Sequence, residues 1–308
     1  MTSTISYSQA ATAKTEMFDM RYESLDLWPT GPLLEALLES QLGAVSSVKA
    51  ALPDMEGAIA AALPRLQRGG RLFYVGAGTS GRIGLQDGVE LIPTYGWPEN
   101  RLVLLLAGGD AALFQPVEGA EDDEEAARSA ITTHSAGPDD VVIGVAASGG
   151  TPYTCAALAC ARAAGSLTIG LSCSPNTRLL HEAELGLLIE TGPEVVAGST
   201  RMKAGTAQKV ALNMLSTALM IRLGHTWRGQ MVDMRIVNAK LVKRAHRMVQ
   251  HLTDCTEAEA QAALTQAEGN IKLAVLVCFG FTPTTGKAAL EEHGGHLRAV
   301  LASAHSSV

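Results

Sequence analysis

The sequence predicts an α/β protein, a three-layer sandwich with a central parallel sheet, plus N-terminal helices and a C-terminal helical unit. Three observations predict this class. Between residues 71 and 189, short runs rich in Val, Ile and Leu alternate with helical stretches. These runs are apolar almost throughout, as expected of strands buried on both faces. The chain has 308 residues, 47% apolar and 18% charged, which suffices for one large core and an accessory unit.

The N-terminal region, 1–54, is predicted to hold a polar, mobile tail followed by a helix. Apolar residues recur at helical spacing from Leu33 to Leu52, and Pro53 is expected to end that helix. A second helix is predicted from Met55 to Leu66, closed by two glycines.

An α/β domain is predicted over 55–224. Its strands are placed at 71–75, 102–106, 141–145, 166–171 and 185–189, and its helices near 81–91, 122–133, 152–164 and 202–223. Ligands of such sheets bind at the carboxyl ends of the strands, so the loops that directly follow strands are where a site is expected.

The C-terminal region, 225–308, is predicted to be entirely helical. A long helix is expected over 231–252, and a small bundle over about 254–308. Thr256 and Glu259 form a capping box that opens the first helix of this bundle.

Composition and charge exclude several classes of protein. The net charge is -7, the opposite of what a nucleic-acid-binding protein carries. The longest apolar run, Val210 to Leu223, is broken by polar residues and falls short of the roughly 20 residues of a membrane span. The N-terminus lacks the pattern of a secretion signal. Five cysteines, an odd number without metal-ligand spacing, predict reduced, mostly buried thiols in a cytoplasmic protein.

A glycine-rich loop follows the first predicted strand. Residues 76–82 match G-x-G-x-x-G, the dinucleotide fingerprint, but the nearest strand-terminal acid, Asp110, lies 29 residues after Gly81 instead of about 20. The loop also carries the hydroxyls of Thr79 and Ser80. Hydroxyls and backbone N–H groups at a helix start favour a single terminal phosphate, with a dinucleotide as the alternative.

A similar loop follows the third strand, with Ser148, Gly149 and Thr151 before Pro152. Two such loops on neighbouring strands favour a shared phosphate site over a pair of ordinary tight turns. A third polar segment precedes the long helix of the domain. Ser199 and Thr200 are placed to cap that helix, and the Arg201 and Lys203 side chains face either an anion or solvent.

Carboxylates supply the candidate acid–base groups. Glu90 has apolar neighbours that predict partial burial, which suits a general acid, although these residues alone favour a salt-bridged Glu at a helix end. Glu118 and Glu121 are three residues apart and could share one helix face; the acidic run 121–125 is typical of a solvated helix N-terminus. These loops contain no His or Cys, which argues against nucleophilic catalysis and a metal site.

Blocks of this sequence resemble a known family over nearly the whole chain. They start at Thr15-Glu16 and comprise 76–82, 117–122, 146–149, 192–196, 198–209, 212–217 and 231–233. The run from Gly198 to Lys209 is unusual in composition, so the match is specific. The chain is similar to the N-acetylmuramic acid 6-phosphate etherases, which have the sugar isomerase fold.

The resemblance implies an activity without cofactor or metal. Family members cleave the lactyl ether of N-acetylmuramic acid 6-phosphate by elimination and then hydration, in the recycling of cell-wall sugars. By motif position the proton donor to the leaving group is Glu90, and Glu121 is the second acid–base group. Together with the analysis of the loops, this predicts the substrate-binding residues Thr79, Ser80, Glu118, Ser148, Gly149, Thr151, Ser199 and Thr200. The family also implies a homodimer with sites near the subunit interface.

Three positions depart from the family pattern. Val89 replaces a hydroxyl-bearing residue beside Glu90, Gly150 replaces an Arg, and Asp19 replaces an Asn. These changes bear on the range of substrates. Three other functions stay open: a regulator that binds a sugar phosphate without turnover, an aldose–ketose isomerase of phosphosugars and, more remotely, a dehydrogenase.

Overall fold

The structure, a computed structural model, describes residues 13–306; the predicted mobile tail, residues 1–12, lies outside them. Five parallel strands form one sheet in the order β2-β1-β3-β4-β5. The strands are β1 (Leu72–Gly76), β2 (Leu102–Leu106), β3 (Val141–Ala146), β4 (Leu167–Ser172) and β5 (Leu185–Leu188). The predicted fold class is confirmed, and each predicted strand end lies within one residue of the observed one.

Helices precede, flank and follow this sheet. They are α1 (Thr30–Ser47), α2 (Leu52–Gln67), α3 (Gly78–Tyr95), α4 (Glu124–Thr133), α5 (Pro152–Ala163), α6 (Arg178–Glu182), α7 (Lys203–Arg222), α8 (Ala239–Thr253), α9 (Glu257–Gln266), α10 (Ile271–Cys278), α11 (Pro283–Glu292) and α12 (Leu297–Ser306). Among the residues described, no single helix is long and apolar enough to cross a membrane; α10 and α11 meet that test only together, with a bend of 116°.

Alternate strand residues face opposite helical layers, which gives the sandwich its three layers. Leu72 and Tyr74 of β1 pack into a cluster with α2, α3 and α7. Phe73 and Val75, the residues between and after them, pack into a second cluster with α4, α5 and α6. Because both faces are covered, every residue of β1 is buried, as its apolar composition predicted.

A third apolar cluster lies in the C-terminal region. It is built from α8, α9, α10 and α12, together with Val232 and Met234, which precede α8. The capping box at Thr256 and Glu259 is present as predicted. The division of the chain at about residue 225 stays a prediction, and this separate cluster agrees with it.

Two predicted helix bounds near prolines are wrong. Pro53 does not end α1, which stops at Ser47 before a 3-10 turn; Pro53 lies instead in the first turn of α2, where its missing N–H is not needed. The α3 helix extends beyond the predicted 81–91, passes through Pro93 and ends at Gly96, which has φ +64°.

The helix predicted over 231–252 begins only at Ala239. The Asn238 side chain caps it by accepting a hydrogen bond from the Leu241 N–H at 3.0 Å. The segment before α8, residues 231–238, is not helical and contacts neighbouring residues. In it, Asp233 Oδ2 lies 2.8 Å from His225 Nδ1 and 2.5 Å from the buried Lys272 Nζ. These pairs join the C-terminal cluster to the end of α7.

Candidate active site

The loop between β1 and α3 lies at the carboxyl end of the sheet. Ser80 is buried in the first turn of α3, and Thr79 is half-buried. The first backbone bond that returns along this helix is donated by Gly81 to the Ala77 carbonyl, at 3.0 Å. The N–H groups before it have no partner within the helix, as at every helix start. This arrangement suits an anion.

The glycines of the G-x-G-x-x-G motif have a structural explanation that requires no nucleotide. A Cβ on Gly76 would lie 2.7 Å from the Gly81 Cα, and a Cβ on Gly81 would lie 2.5 Å from a Leu106 methyl group. The strand and the helix therefore approach too closely for side chains. Gly78 has φ +52°, which permits the sharp turn between them.

The loop after β3 lies beside the first loop because β1 and β3 are paired neighbours. Ser148 and Thr151 are half-buried there. Gly149 is buried with φ +69°, and its N–H donates to the Ala146 carbonyl at 3.1 Å. In this structure Gly149 therefore shapes the turn that presents Ser148 and Thr151.

The helix cap predicted at Ser199 and Thr200 is wrong. Glu194 caps α7 instead, its two carboxylate oxygens accepting from the Lys203 and Ala204 N–H groups, both at 2.9 Å. Burial raises the pKa of Glu194, against the effect of these two hydrogen bonds. The Glu194 carboxylate, and not the hydroxyls of Ser199 and Thr200, therefore accepts the hydrogen bonds of the first N–H groups of α7.

The two charged residues of this third segment have different surroundings. Arg201 is exposed, whereas Lys203 is half-buried and its Nζ donates to the Pro193 carbonyl at 3.4 Å.

The three polar segments converge at the start of α7. A Cβ on Gly205 would lie 3.4 Å from the Thr200 carbonyl oxygen and 3.5 Å from the Thr79 methyl group, so the first and third segments are in contact there. Ala204 packs in a small buried cluster with Ala147 of the second loop. The segments that carry the predicted hydroxyl-bearing residues therefore meet at the start of α7.

A buried glutamine on α7 extends this arrangement. The Ser80 hydroxyl donates to Gln208 Oε1 at 2.9 Å, and Gln208 is fully buried. Gln208 lies within the matching block 198–209, and the sequence pattern assigns it no role. The available signal was its position among the alanines of a buried helix face, at 204, 207 and 211.

Glu90 is exposed in the single chain, so its predicted partial burial is wrong. It lies on the face of α3 that points away from the sheet, next to Val89, whose side chain is 50% exposed, while the other neighbour, Leu91, is buried in the core. One apolar neighbour therefore points inward and the other outward. Among the described residues Glu90 has no side-chain hydrogen bond or ion pair.

Glu118 and Glu121 do not share a helix face. Gly119, with φ +71°, separates them, and only Glu121 lies in the 3-10 turn Ala120–Asp122. Both side chains are exposed. The rest of the acidic run behaves as predicted, since Asp123 caps α4 by accepting from the Ala126 N–H at 2.8 Å.

A buried carboxyl, missed by sequence reasoning, lies one turn before Glu90. Asp87 is 2% exposed, and its Oδ2 accepts from the Tyr74 hydroxyl at 2.9 Å. The Asn213 amide of α7 donates to its other oxygen. Burial, together with the nearby Asp87, raises the pKa of Tyr74. Asp87 thus fixes the Glu90 turn of α3 relative to β1 and α7.

The structure accepts the residues at positions 150 and 19, where the sequence departs from the family pattern, without a steric clash or an unpaired charge among the described residues. Gly150 is exposed, and a Cβ there would meet nothing closer than 3.9 Å. Asp19 accepts hydrogen bonds from the Arg21 side chain, at 2.7 Å for the shortest. These side-chain hydrogen bonds lower the pKa of Asp19.

Two of the five free cysteines, Cys155 and Cys173, are buried, and the other three are half-buried.

Sequence comparisons find relatives across the chain. The profile of the SIS domain matches residues 121–218, that of the glucokinase regulatory protein N-terminal SIS domain matches 54–162, and that of the C-terminal lid domain of glucokinase regulatory protein matches 228–272. An N-acetylmuramic acid 6-phosphate etherase of Deinococcus radiodurans is 51% identical, over 94% of this chain and 95% of the relative. Another, from Rubrobacter xylanophilus, is 46% identical over 90% and 92%.

Proposed function

The chain belongs to the family of N-acetylmuramic acid 6-phosphate etherases, which are carbon–oxygen lyases, and we propose how its residues perform the reaction. The enzyme cleaves the D-lactyl ether of N-acetylmuramic acid 6-phosphate to give N-acetylglucosamine 6-phosphate and D-lactate. We place it in the cytoplasm, in the recycling of cell-wall sugars. The observation that carries the site assignment is the contact of three hydroxyl-bearing segments at the starts of α3 and α7.

The phosphate is held at these helix starts. The hydroxyls of Thr79, Ser80, Ser148 and Thr151 surround the free N–H groups of the first turn of α3, and both features favour a dianion. Ser199, Thr200 and Glu118 complete the pocket around the sugar. A phosphate fixed in this way leaves the ring carbons to the carboxylates.

Two carboxyl groups suffice for the proton transfers. In the open-chain aldehyde, the Glu121 carboxylate removes the C2 proton, and the electron pair forms a C2–C3 double bond as the C3–O bond breaks. Glu90 donates its proton to the departing lactate oxygen. Water then adds at C3 and gives a proton to the Glu90 carboxylate, and Glu121 returns its proton to C2, so both groups regain their starting protonation states. Proton transfer by positioned side chains supplies about 10²–10⁴-fold in rate.

We further propose that the active site is shared between two subunits. Glu90 follows Ser80 by ten residues on one helix, which is roughly 15 Å along the axis. Ser80 is buried against α7, whereas Glu90 is exposed on the face of α3 that points away from the sheet. We therefore propose that Glu90 reaches the substrate that the partner holds.

An exposed apolar stripe on α1 supports a homodimer. Leu34, Leu38 and Leu42 are spaced at four residues and are 60%, 62% and 63% exposed. Val89, beside Glu90, adds further apolar surface. An exposed apolar stripe such as that on α1 is typical of a subunit interface.

Release of D-lactate tests the proposed function. We expect the purified chain to convert N-acetylmuramic acid 6-phosphate into equal amounts of D-lactate and N-acetylglucosamine 6-phosphate. Unphosphorylated N-acetylmuramic acid, which lacks the anion that the loops hold, serves as the matched control and should react far more slowly. Folded protein that releases no lactate at high concentration would contradict the proposal. Binding without turnover would point to a regulator, and an altered sugar without lactate to an isomerase.

A further inference from the structure

The side-chain amide of Gln208 is buried, and its nitrogen lacks a hydrogen-bond partner in the part of the chain that the structure describes. It is 0% exposed, and its Nε2 is one of two buried side-chain polar atoms without a hydrogen-bond partner among the described residues. Its other amide atom, Oε1, accepts from Ser80. Buried donors are nearly always paired, so an unpaired amide N–H beside an anion site needs a reason.

The direction of the Ser80 hydrogen bond decides what Ser80 can do. A hydroxyl has one hydrogen, and an amide oxygen can only accept. While Ser80 donates to Gln208, it has no hydrogen left for a phosphate, whose oxygens in the dianion are all acceptors. The same contact made through Nε2 would reverse the direction, and the Ser80 hydrogen would be free. Rotation of the amide by half a turn exchanges these two arrangements.

We propose that Gln208 is a positioning residue of the phosphate site. In the ligand-bound enzyme its Nε2 donates to Ser80 Oγ, which directs the Ser80 hydroxyl hydrogen to the phosphate. The inference rests on the proposed function and adds to it a residue that never touches the ligand. No proton is transferred; only the amide orientation changes. Glu194, which anchors the first turn of α7, keeps Gln208 at its place beneath α3.

Gln208→Glu tests this directly, with Gln41→Glu as the matched control. An ionised carboxylate only accepts, so binding is measured at alkaline pH, where the introduced carboxyl has lost its proton and withholds the Ser80 hydrogen from the phosphate. We expect the Kd for N-acetylglucosamine 6-phosphate, measured by calorimetry, to rise about tenfold or more. KM should rise in parallel, with kcat within about threefold. Gln41 lies on α1, and its Oε1 accepts a hydrogen bond from the hydroxyl of Thr206, which is on α7 as Gln208 is. The Gln41→Glu variant should therefore bind the sugar phosphate as wild type does.

Gln208→Met covers the case in which a buried charge prevents folding. It removes both amide groups without adding a charge, and we expect the Kd to rise about threefold or more. Because Gln208 acts through the Ser80 hydroxyl, the same change in a Ser80→Ala background should have no further effect. A merely structural role of Gln208 would weaken binding equally in both backgrounds.

The outcomes separate this inference from the proposed function. A wild-type chain that binds no sugar phosphate would overturn both. A wild-type chain that binds, with a folded Gln208→Glu variant binding equally well, would overturn the inference alone. The inference alone would also be overturned if Gln208→Met raised the Kd by the same factor in the wild-type and the Ser80→Ala backgrounds.

Discussion

Glu194 illustrates how single buried residues build the site. It is 1% exposed and contributes both carboxylate oxygens to the first turn of α7. The two backbone N–H groups that it accepts would otherwise be buried or half-buried without a partner. Glu194 therefore determines where α7 starts, and hence where Gly205 and Gln208 meet α3.

The raised pKa of Glu194 predicts a pH dependence of stability. Burial raises this pKa above its ordinary value of 4.5. The folded chain then holds this proton over a pH range in which the unfolded chain has lost it. The contribution is complete below pH 4.5 and is lost as the pH rises through the raised pKa. In urea denaturation at several pH values, Glu194→Gln should lack this decline relative to wild type. Parallel curves for the two proteins would contradict the prediction.

Glu90→Gln separates proton donation from binding. The amide has nearly the same shape but cannot protonate the departing lactate oxygen. We expect lactate release to fall about 10²–10⁴-fold, with the Kd for N-acetylglucosamine 6-phosphate within a few fold. A near-normal rate for the folded variant would refute the role of Glu90 as the proton donor.

The loop between β3 and α5 depends on one of its two glycines, Gly149. A Cβ on Gly149 would lie 2.2 Å from Thr177 Oγ1 and 2.4 Å from Ser172 Oγ, and φ is +69°. Gly149→Ala should therefore cost roughly 1–3 kcal/mol of stability and raise KM by displacing Ser148. Gly150→Ala, where the nearest atom is 3.9 Å away, should stay within about 0.5 kcal/mol. Thermal melts and initial rates of the two variants check this, and equal effects would be the contrary result.

The sequence allowed the elements of the sheet to be predicted closely, for a physical reason. Strands buried on both faces carry continuous apolar runs, so β2 could be located to the residue. The start of α8 was harder, because residues 231–238 contain apolar side chains at helical spacing that pack against the C-terminal helices. The cap of α7 was missed because Glu194 lies nine residues before Lys203, beyond the range of local capping rules.

The candidate site was predictable only in part. Hydroxyls that follow parallel strands must meet at one edge of the sheet, so Thr79 and Ser148 could be grouped from sequence. The exposure of Glu90 could not be predicted, since the pattern around it does not say which neighbour faces the core. Gln208 joins Ser80 across 128 residues, and no local pattern reveals a contact at that separation.

The proposed sharing of the active site between two subunits can be tested by mixing variants. Ser80→Ala damages the phosphate site, and Glu90→Gln removes the proton donor. If Glu90 acts on the partner's substrate, a mixed dimer contains one undamaged site. Random mixing should then recover about a quarter of the wild-type lactate release, since half of the dimers are mixed. At a substrate concentration well below KM, each variant alone should release far less lactate than the mixture. No recovery from subunits shown to have exchanged would place Glu90 and Ser80 in the same subunit's site.

A crystal structure of the chain with N-acetylglucosamine 6-phosphate is the most direct test of the proposed site. We expect the phosphate within hydrogen-bond distance of Thr79, Ser80 and Ser148, and the carboxyls of Glu121 and the partner's Glu90 beside C2 and C3. A phosphate bound elsewhere, or a sugar ring with neither carboxyl near it in any subunit of the assembly, would contradict the proposed mechanism.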